Sequence, residues 1–175
     1  PINNFIGATE VLDNSLKKSI LKKDIAVADS KFVVNYFRLS GDDRLLFGGG
    51  ESYGYKFPKN LEATVRKPML KIFPQLKNVK LDYTWGGTLA ITMKRMPYIS
   101  RLNKSTYSAS GYSGSGVAMA TMAGKILCED ILGENGRFKT MSSIITPNFP
   151  GHGALRSPLL ALAMTWYKMR DELGF

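Results

Sequence analysis

Two periods of apolar residues alternate along the chain. From Phe5 to Leu12 apolar and small residues mix in a run that reads as a strand. The next dozen residues carry Lys17, Lys18, Lys22 and Lys23 among Ser and Asp, a solvated connection rather than a short, poorly capped helix. Lys31 to Ser40 is rich in Val, Tyr and Phe; Gly41-Asp42-Asp43 interrupts it and Arg44 to Gly48 resumes. Two such runs around a Gly/Asp cluster predict a hairpin, which Gly48-Gly49-Gly50 ends. Asn60 is placed to cap a helix carrying Leu61, Val65, Met69, Ile72 and Phe73 on one face. Pro68 should kink or divide that helix, and Pro74 should stop it.

The second half repeats the alternation. Val79 to Met93 is strand-like, with Gly86-Gly87 marking a bulge or a close backbone approach. Tyr98 to Leu102 and Thr106 to Ala109 flank Asn103-Lys104-Ser105 as a second hairpin. Ser115 to Leu132 is apolar almost all round until Glu129 and Asp130, which predicts a helix buried on most sides, with Cys128 a small hydrophobe inside it. The last helix opens at Ser157-Pro158, a cap followed by proline, and runs to about Leu173. The order strands, helix, strands, helix, helix predicts an α+β fold, a mixed or antiparallel sheet with flanking helices.

Composition narrows the function. The chain has 175 residues, 44% hydrophobic and 22% charged, which excludes wholesale disorder and fits one domain or one domain with an appended element. A formal charge of +10 raises the question of an anionic partner. The lysine cluster has no interleaved aromatic residue, so no stacking platform for a specific nucleic acid is evident. One cysteine and one histidine exclude an internal disulfide and a Cys- or His-based metal cluster, so no metal site is expected. His152, in Pro150-Gly151-His152-Gly153, reads as a loop residue rather than a catalyst, and no catalytic side chain stands out. The longest charge-free apolar run near the end, Pro158 to Tyr167, is half of what a membrane-spanning helix needs, roughly 20 residues. Pro1-Ile2-Asn3-Asn4 has no signal-peptide pattern, and a cytoplasmic location is expected.

The candidate chemistry lies in Thr106-Tyr107-Ser108-Ala109-Ser110-Gly111-Tyr112-Ser113-Gly114-Ser115-Gly116-Val117. A strand enters a glycine-rich turn and the turn opens a helix. Glycines let backbone N–H groups approach a ligand, and the helix start adds about half a positive charge. Such a turn suits a phosphate or the carbonyl edge of a flavin; it also suits a tight turn with no ligand. The dinucleotide fingerprint is not satisfied, because Met119 stands where its last glycine belongs. Tyr53 and Tyr55, two apart after the glycine run, are placed either to offer ring faces to an amine cation or to pack on the sheet.

Three blocks in order carry a resemblance. Trp85-Gly86-Gly87-Thr88-Leu89-Ala90-Ile91-Thr92 with Met96-Pro97, then the hairpin, then Gly111-Tyr112-Ser113-Gly114-x-Gly116-Val117, resemble the C-terminal half of the D-amino-acid-oxidase-like FAD-dependent amine oxidoreductases. Asn35 to Ser40, Arg44 to Tyr55 and Leu155-Arg156-Ser157-Pro158-Leu159 look most like the gamma-glutamylputrescine oxidoreductases. The resemblance implies a substrate-domain portion over residues 1–93. Residues 94–175 would then be a segment returning to the FAD domain as strand, glycine turn and helices. It implies that Gly87 and Gly111, Tyr112, Ser113, Gly114, Ser115, Gly116 and Val117 edge the FAD isoalloxazine. Tyr53, Tyr55 and Leu89 would face a small amine substrate. Ser115 replaces the histidine common in the family's Gly-Tyr-Ser-Gly-His-Gly, leaving any role of that side chain unassigned. Leu89 replaces an arginine that holds the substrate carboxylate in many amino-acid oxidases of the superfamily. A site without that bidentate anchor favours an amine over an α-amino acid.

The family's N-terminal dinucleotide unit has no counterpart in the chain. The expectation is therefore a C-terminal piece of a longer enzyme that binds FAD weakly alone, or one chain of a split flavoenzyme. Its partners would be the missing N-terminal FAD-binding unit or a self-associating copy. A basic module for nucleic acid or an anionic surface is the competing reading. It explains the charge and leaves the glycine turn and the Trp-Gly-Gly block unexplained.

Overall fold

A computed structural model describes residues 1–53, 56–151 and 155–174, the side chain of Glu172 excepted. The elements in chain order are β1 (Ile2–Thr9), α1 (Asn14–Ile20), β2 (Val27–Ala28), β3 (Tyr36–Leu39), β4 (Leu45–Tyr53) and α2 (Leu61–Ile72). A single 3₁₀ turn (Pro74–Leu76) leads to β5 (Leu81–Leu89), β6 (Tyr98–Asn103) and β7 (Thr106–Ser110), followed by α3 (Gly116–Ile131), α4 (Gly136–Ser142) and α5 (Arg156–Leu173). Contacts divide the chain into two compact units. One holds Ile2–Thr88 and the residues after Arg156; the other holds Leu89–Arg156.

The first unit is built on a five-stranded sheet in the order β2-β3-β4-β1-β5, with β2/β3, β3/β4 and β4/β1 antiparallel. The predicted hairpin is β3–β4, closed by Leu39 opposite Leu45. The glycine triplet does not end it. β4 continues through Gly48-Gly49-Gly50 to Tyr53, and the pairing with β1 shifts register between Asn4 and Ile6. A bulge absorbs the extra residue there, and Gly50 takes φ +83°, a conformation that favours glycine. Strand alternation puts Leu45 and Phe47 on the α2 side, while Leu46 and Gly48 line a cavity of about 210 Å³ with Ile6, Tyr36 and Trp85.

Helix α2 forms where expected because the Asn60 side chain accepts from the Ala63 N–H at 2.9 Å and an apolar stripe faces the sheet. Val65 and Met69 of that stripe are fully buried against Phe5, Leu45 and Phe47, each contributing roughly 1.5–3 kcal/mol by leaving water. Pro68 does not divide the helix, which stays intact from Leu61 to Ile72 with Val65 and Met69 packed on the sheet either side of it. The lysine segment also differs from expectation. Asp13 accepts from the Leu16 N–H at 2.8 Å and starts α1, a seven-residue helix from which Leu16 and Ile20 reach the core. The cap and these two apolar contacts outweigh the segment's charge.

Buried polar groups of this unit are paired. Asn3 donates to Ser52 Oγ at 2.9 Å and accepts from the Thr88 hydroxyl at 2.7 Å. Helix α5 belongs to the same unit: Tyr167 stacks on Phe32 with ring centroids 3.9 Å apart. The Asp171 carboxylate accepts from the Phe32 and Val33 N–H groups at 3.2 and 3.1 Å.

In the second unit β6 and β7 form the expected hairpin, with Tyr98 opposite Ser110 and Asn103 opposite Thr106. Its core is Ile99, Ala123 and Ile126, supported by Ala109, Tyr112, Leu127, Phe138 and Met141. Helix α3, predicted to be buried on most sides in a complete enzyme, leaves most of its apolar surface uncovered in this chain. Only Ala123 and Ile126 are buried, Val117 is 97% exposed, and Cys128 is exposed rather than buried. Within this unit the hairpin and α4 cover one side of α3.

Candidate functional site

The glycine turn between β7 and α3 is a local product of three left-handed backbone conformations. Gly111, Ser113 and Gly114 have φ values of +69°, +51° and +98°. The Gly111 position is also crowded: an added Cβ would stand 2.6 Å from Thr92 Cγ2. Ser113 is the one non-glycine in the left-handed region here. Its N–H donates to the Ala90 carbonyl at 3.1 Å and its Oγ accepts from the Thr92 N–H at 3.3 Å. Two bonds thus bind the turn to the segment after Leu89, and Leu89 is brought next to the turn by sequence and by this pairing. Tyr112 is half-buried, its hydroxyl donating to the Ala109 carbonyl at 3.0 Å.

Beyond that anchor the turn is open. The N–H of Ser115 donates to the Tyr112 carbonyl at 2.9 Å, and Met119 begins the helical bonds by donating to Ser115. Ser115 is the cap residue of α3, but its side chain makes no capping bond. The first-turn N–H groups of Gly116, Val117 and Ala118 therefore point to the surface beside an exposed Gly114 and an exposed Ser115. A sixteen-residue helix begins here, with its partial positive end unsatisfied by any side chain. Such a start accepts an electron-rich oxygen edge without further rearrangement.

Gly87 lies on β5 in the first unit, where an added Cβ would meet no atom within 4 Å; its neighbour Gly86 is the true close approach, over the Phe5 ring and the Asn4 carbonyl. Tyr55 and His152 lie outside the described residues. Tyr53 lies in the first unit, at the end of β4. It lines a cavity of about 580 Å³ with Glu51, Thr64, Lys67 and Lys168 among others. Its hydroxyl donates to Glu51 Oε2 at 3.0 Å. Burial and the adjacent carboxylate push the Tyr53 phenol well above its ordinary range. Burial also raises the Glu51 carboxyl, offset in part by the Tyr53 bond and the Lys168 charge.

Glu51 went unnoticed in the sequence, although a signal was present: it stands two residues before Tyr53, and period-two alternation puts both on one strand face. Lys168 and Asp171 gave no signal, since α5 joins them to β4 only through tertiary packing. Tyr36 was likewise missed. Its hydroxyl donates to Asn4 Oδ1 at 2.5 Å, and half-burial raises its phenol. Among the described residues no cluster of His, Cys, Asp and Glu could hold a metal ion, and no helix is long and apolar enough to cross a membrane.

This arrangement of sheet, hairpin, glycine turn and helix has relatives. The chain is 39% identical over 174 residues to gamma-glutamylputrescine oxidoreductase of Escherichia coli K12, covering 99% of this chain and 41% of that protein. It is 42% identical over 172 residues to the probable oxidoreductase OrdL of Rhizobium meliloti, covering 98% of this chain and 40% of that protein. It thus spans about two-fifths of the length of these relatives. Among solved structures it is similar to L-proline dehydrogenase from P. horikoshii, with a TM-score of 0.58, 25% identity and coverage of 76% of this chain and 36% of that one. Glycine oxidase from Geobacillus kaustophilus shares the fold, with a TM-score of 0.60 at 14% identity over 77% of this chain and 35% of that one. Residues 1–130 match the family described as DAO, FAD dependent oxidoreductase, and with most of its length so matched the chain belongs to that family.

Proposed function

We propose that the protein containing this chain is an FAD-dependent amine oxidoreductase acting on a polyamine-derived amine of the gamma-glutamylputrescine kind. The observation that carries this reading is the open α3 start after a left-handed turn, with no side-chain cap of its own. Backbone N–H groups of Gly114, Gly116 and Val117, set by Gly111, Tyr112, Ser113 and a Ser115 whose own N–H is held by the Tyr112 carbonyl, would face the pyrimidine carbonyls of the isoalloxazine. Held by these groups, FAD would supply hydride-acceptor chemistry for the carbon next to the amine, and water would hydrolyse the imine product. Gly87, with open space over its backbone, would lie along the cofactor as well.

Leu89 precedes the Ala90 carbonyl that holds Ser113, so the position beside the turn is apolar where a carboxylate anchor would be cationic. It would exclude water and select an amine lacking a carboxylate at the reacting carbon. Tyr53 and Tyr55 would serve the same amine from the substrate side. Residues 1–93 would form the substrate-domain portion and 94–175 the segment that completes the FAD domain. The remaining length of the relatives would supply the dinucleotide unit.

The complete protein should then oxidise gamma-glutamylputrescine with a higher kcat/KM than alanine or glycine. Comparable turnover of the small α-amino acids would reverse the substrate assignment. The 175-residue chain alone should bind FAD weakly, since it offers the flavin edge and none of the pyrophosphate contacts; yellow, stoichiometric FAD in the isolated chain would show that the affinity lies here.

A further inference from the structure

One cavity of the first unit carries charged groups that the flavin reading does not use. Its walls come from three elements and one loop. β4 contributes Glu51 and Tyr53, α2 contributes Thr64, Lys67 and Lys71, α5 contributes Thr165 and Lys168, and Lys31 reaches in from the loop before β3. At about 580 Å³ it falls within the range of small-molecule sites, on the order of 300–1,000 Å³. Four ammonium groups therefore surround a space whose described acids are Glu51 and Asp171. Asp171 is committed to the Phe32 and Val33 N–H groups. Glu51 is not fully committed: Oε2 accepts from Tyr53, and Oε1 accepts from no described residue.

The geometry points to a binding site for a small zwitterion of the amino-acid class, its carboxylate held by Lys67 and Lys168 and its ammonium by Glu51. A diamine would meet the lysines, and a plain dicarboxylate would meet Glu51. A molecule carrying both charges satisfies both walls. The bulge at Gly50 is what turns Glu51 toward α2: an added Cβ at Gly50 would stand 2.7 Å from the Thr64 carbonyl, so strand and helix approach closely here and fix the width of the cavity. Thr64 and Thr165 line it as well, their hydroxyls donating to the Asn60 and Ala161 carbonyls and leaving oxygen lone pairs toward the space. The cavity lies within the first unit and shares Tyr53 with the proposed amine side.

Titration of the protein with L-glutamate, glutarate and putrescine, followed by calorimetry or by amide chemical shifts, tests this. L-Glutamate should bind saturably, and glutarate and putrescine about tenfold or more weakly, the loss expected for one charged hydrogen-bonding partner. E51Q keeps the shape and the Tyr53 contact, and it should weaken glutamate about tenfold while leaving glutarate unchanged or improved. K168M, on the exposed side of α5, should weaken glutamate and glutarate alike, whereas K22M on the far connection should alter neither. Glutarate or putrescine binding as tightly as glutamate, or glutamate binding unaffected by both E51Q and K168M, would overturn the proposal. So would the absence of any saturable response to glutamate.

Discussion

Gly48→Ala separates local propensity from tertiary packing in the central strand. On propensity alone alanine should stabilise a strand by about 0.5–1 kcal/mol relative to glycine. Gly48 needs no left-handed φ, so its backbone tolerates the change. The obstacle is Tyr36. An added Cβ would lie deep within contact distance of the ring carbons Cε2 and Cζ and 2.6 Å from Oη, against the ~3.5 Å that carbon neighbours prefer. The ring cannot move away cheaply, because Tyr36 pairs with Gly48 across β3–β4 and its hydroxyl is tied to Asn4 Oδ1. Nor can β4 move, since Gly48 also pairs with Ile6 of β1. Overpacking costs about 1–3 kcal/mol, and loss of the Tyr36 hydrogen bond about 0.5–1.5 more.

Subtracting the propensity gain leaves a net destabilisation of about 0.5–4 kcal/mol, at roughly 2–4 °C in Tm per kcal/mol for a chain of this size. Thermal unfolding followed by circular dichroism measures it. The same substitution in a Tyr36→Ala background should be neutral or slightly stabilising, giving a coupling on the order of 2 kcal/mol. An unchanged or raised Tm for the single variant would refute the packing argument, and equal effects in the two backgrounds would show that the ring is not the cause.

Other expectations follow from the same reasoning. The folded state raises the Glu51 carboxyl above the ordinary value of 4.5, so it binds the proton more tightly than the unfolded chain. Stability should therefore fall as pH rises from about 4.5 through the raised value, and Glu51→Gln should flatten that fall in urea titrations at several pH values. Asn60→Ala removes the cap of α2 and should cost about 1 kcal/mol in denaturant unfolding; a change under a few tenths would mean that the cap bond contributes nothing net. Gly111→Ala combines a φ of +69° with the Thr92 contact and should cost about 1–2 kcal/mol or more, while distorting the turn and weakening FAD in the complete protein. With Val117, Ile131 and Leu132 exposed on α3, the chain should self-associate more at high salt, where screening weakens the repulsion of its +10 charge. A monomer by sedimentation at both low and high ionic strength would contradict this.

Elements held by short-range signals were legible in the chain. The β3–β4 and β6–β7 hairpins follow from turn residues between β-rich runs, and α2 from Asn60 followed by an apolar stripe. The glycine turn was legible because left-handed backbone demands glycine at Gly111 and Gly114, and because a helix start follows directly. Packing decided what local rules could not. α1 exists because Leu16 and Ile20 find the core, Pro68 is tolerated inside a helix packed on the sheet, and the triplet Gly48-Gly49-Gly50 is strand rather than turn because β1 and β3 pair with it on both sides. The α3 stripe shows the limit from the other direction: apolarity marks a surface able to be buried, and only neighbouring elements determine whether it is. The cavity at Glu51 has the same origin. Strand alternation puts Glu51 beside Tyr53, but the lysines that face them arrive on α2 and α5, more than a hundred residues away in the case of Lys168. Charge and hydrogen-bonding capacity are carried by single residues, whereas a site is a relation among residues that the chain brings together only by folding.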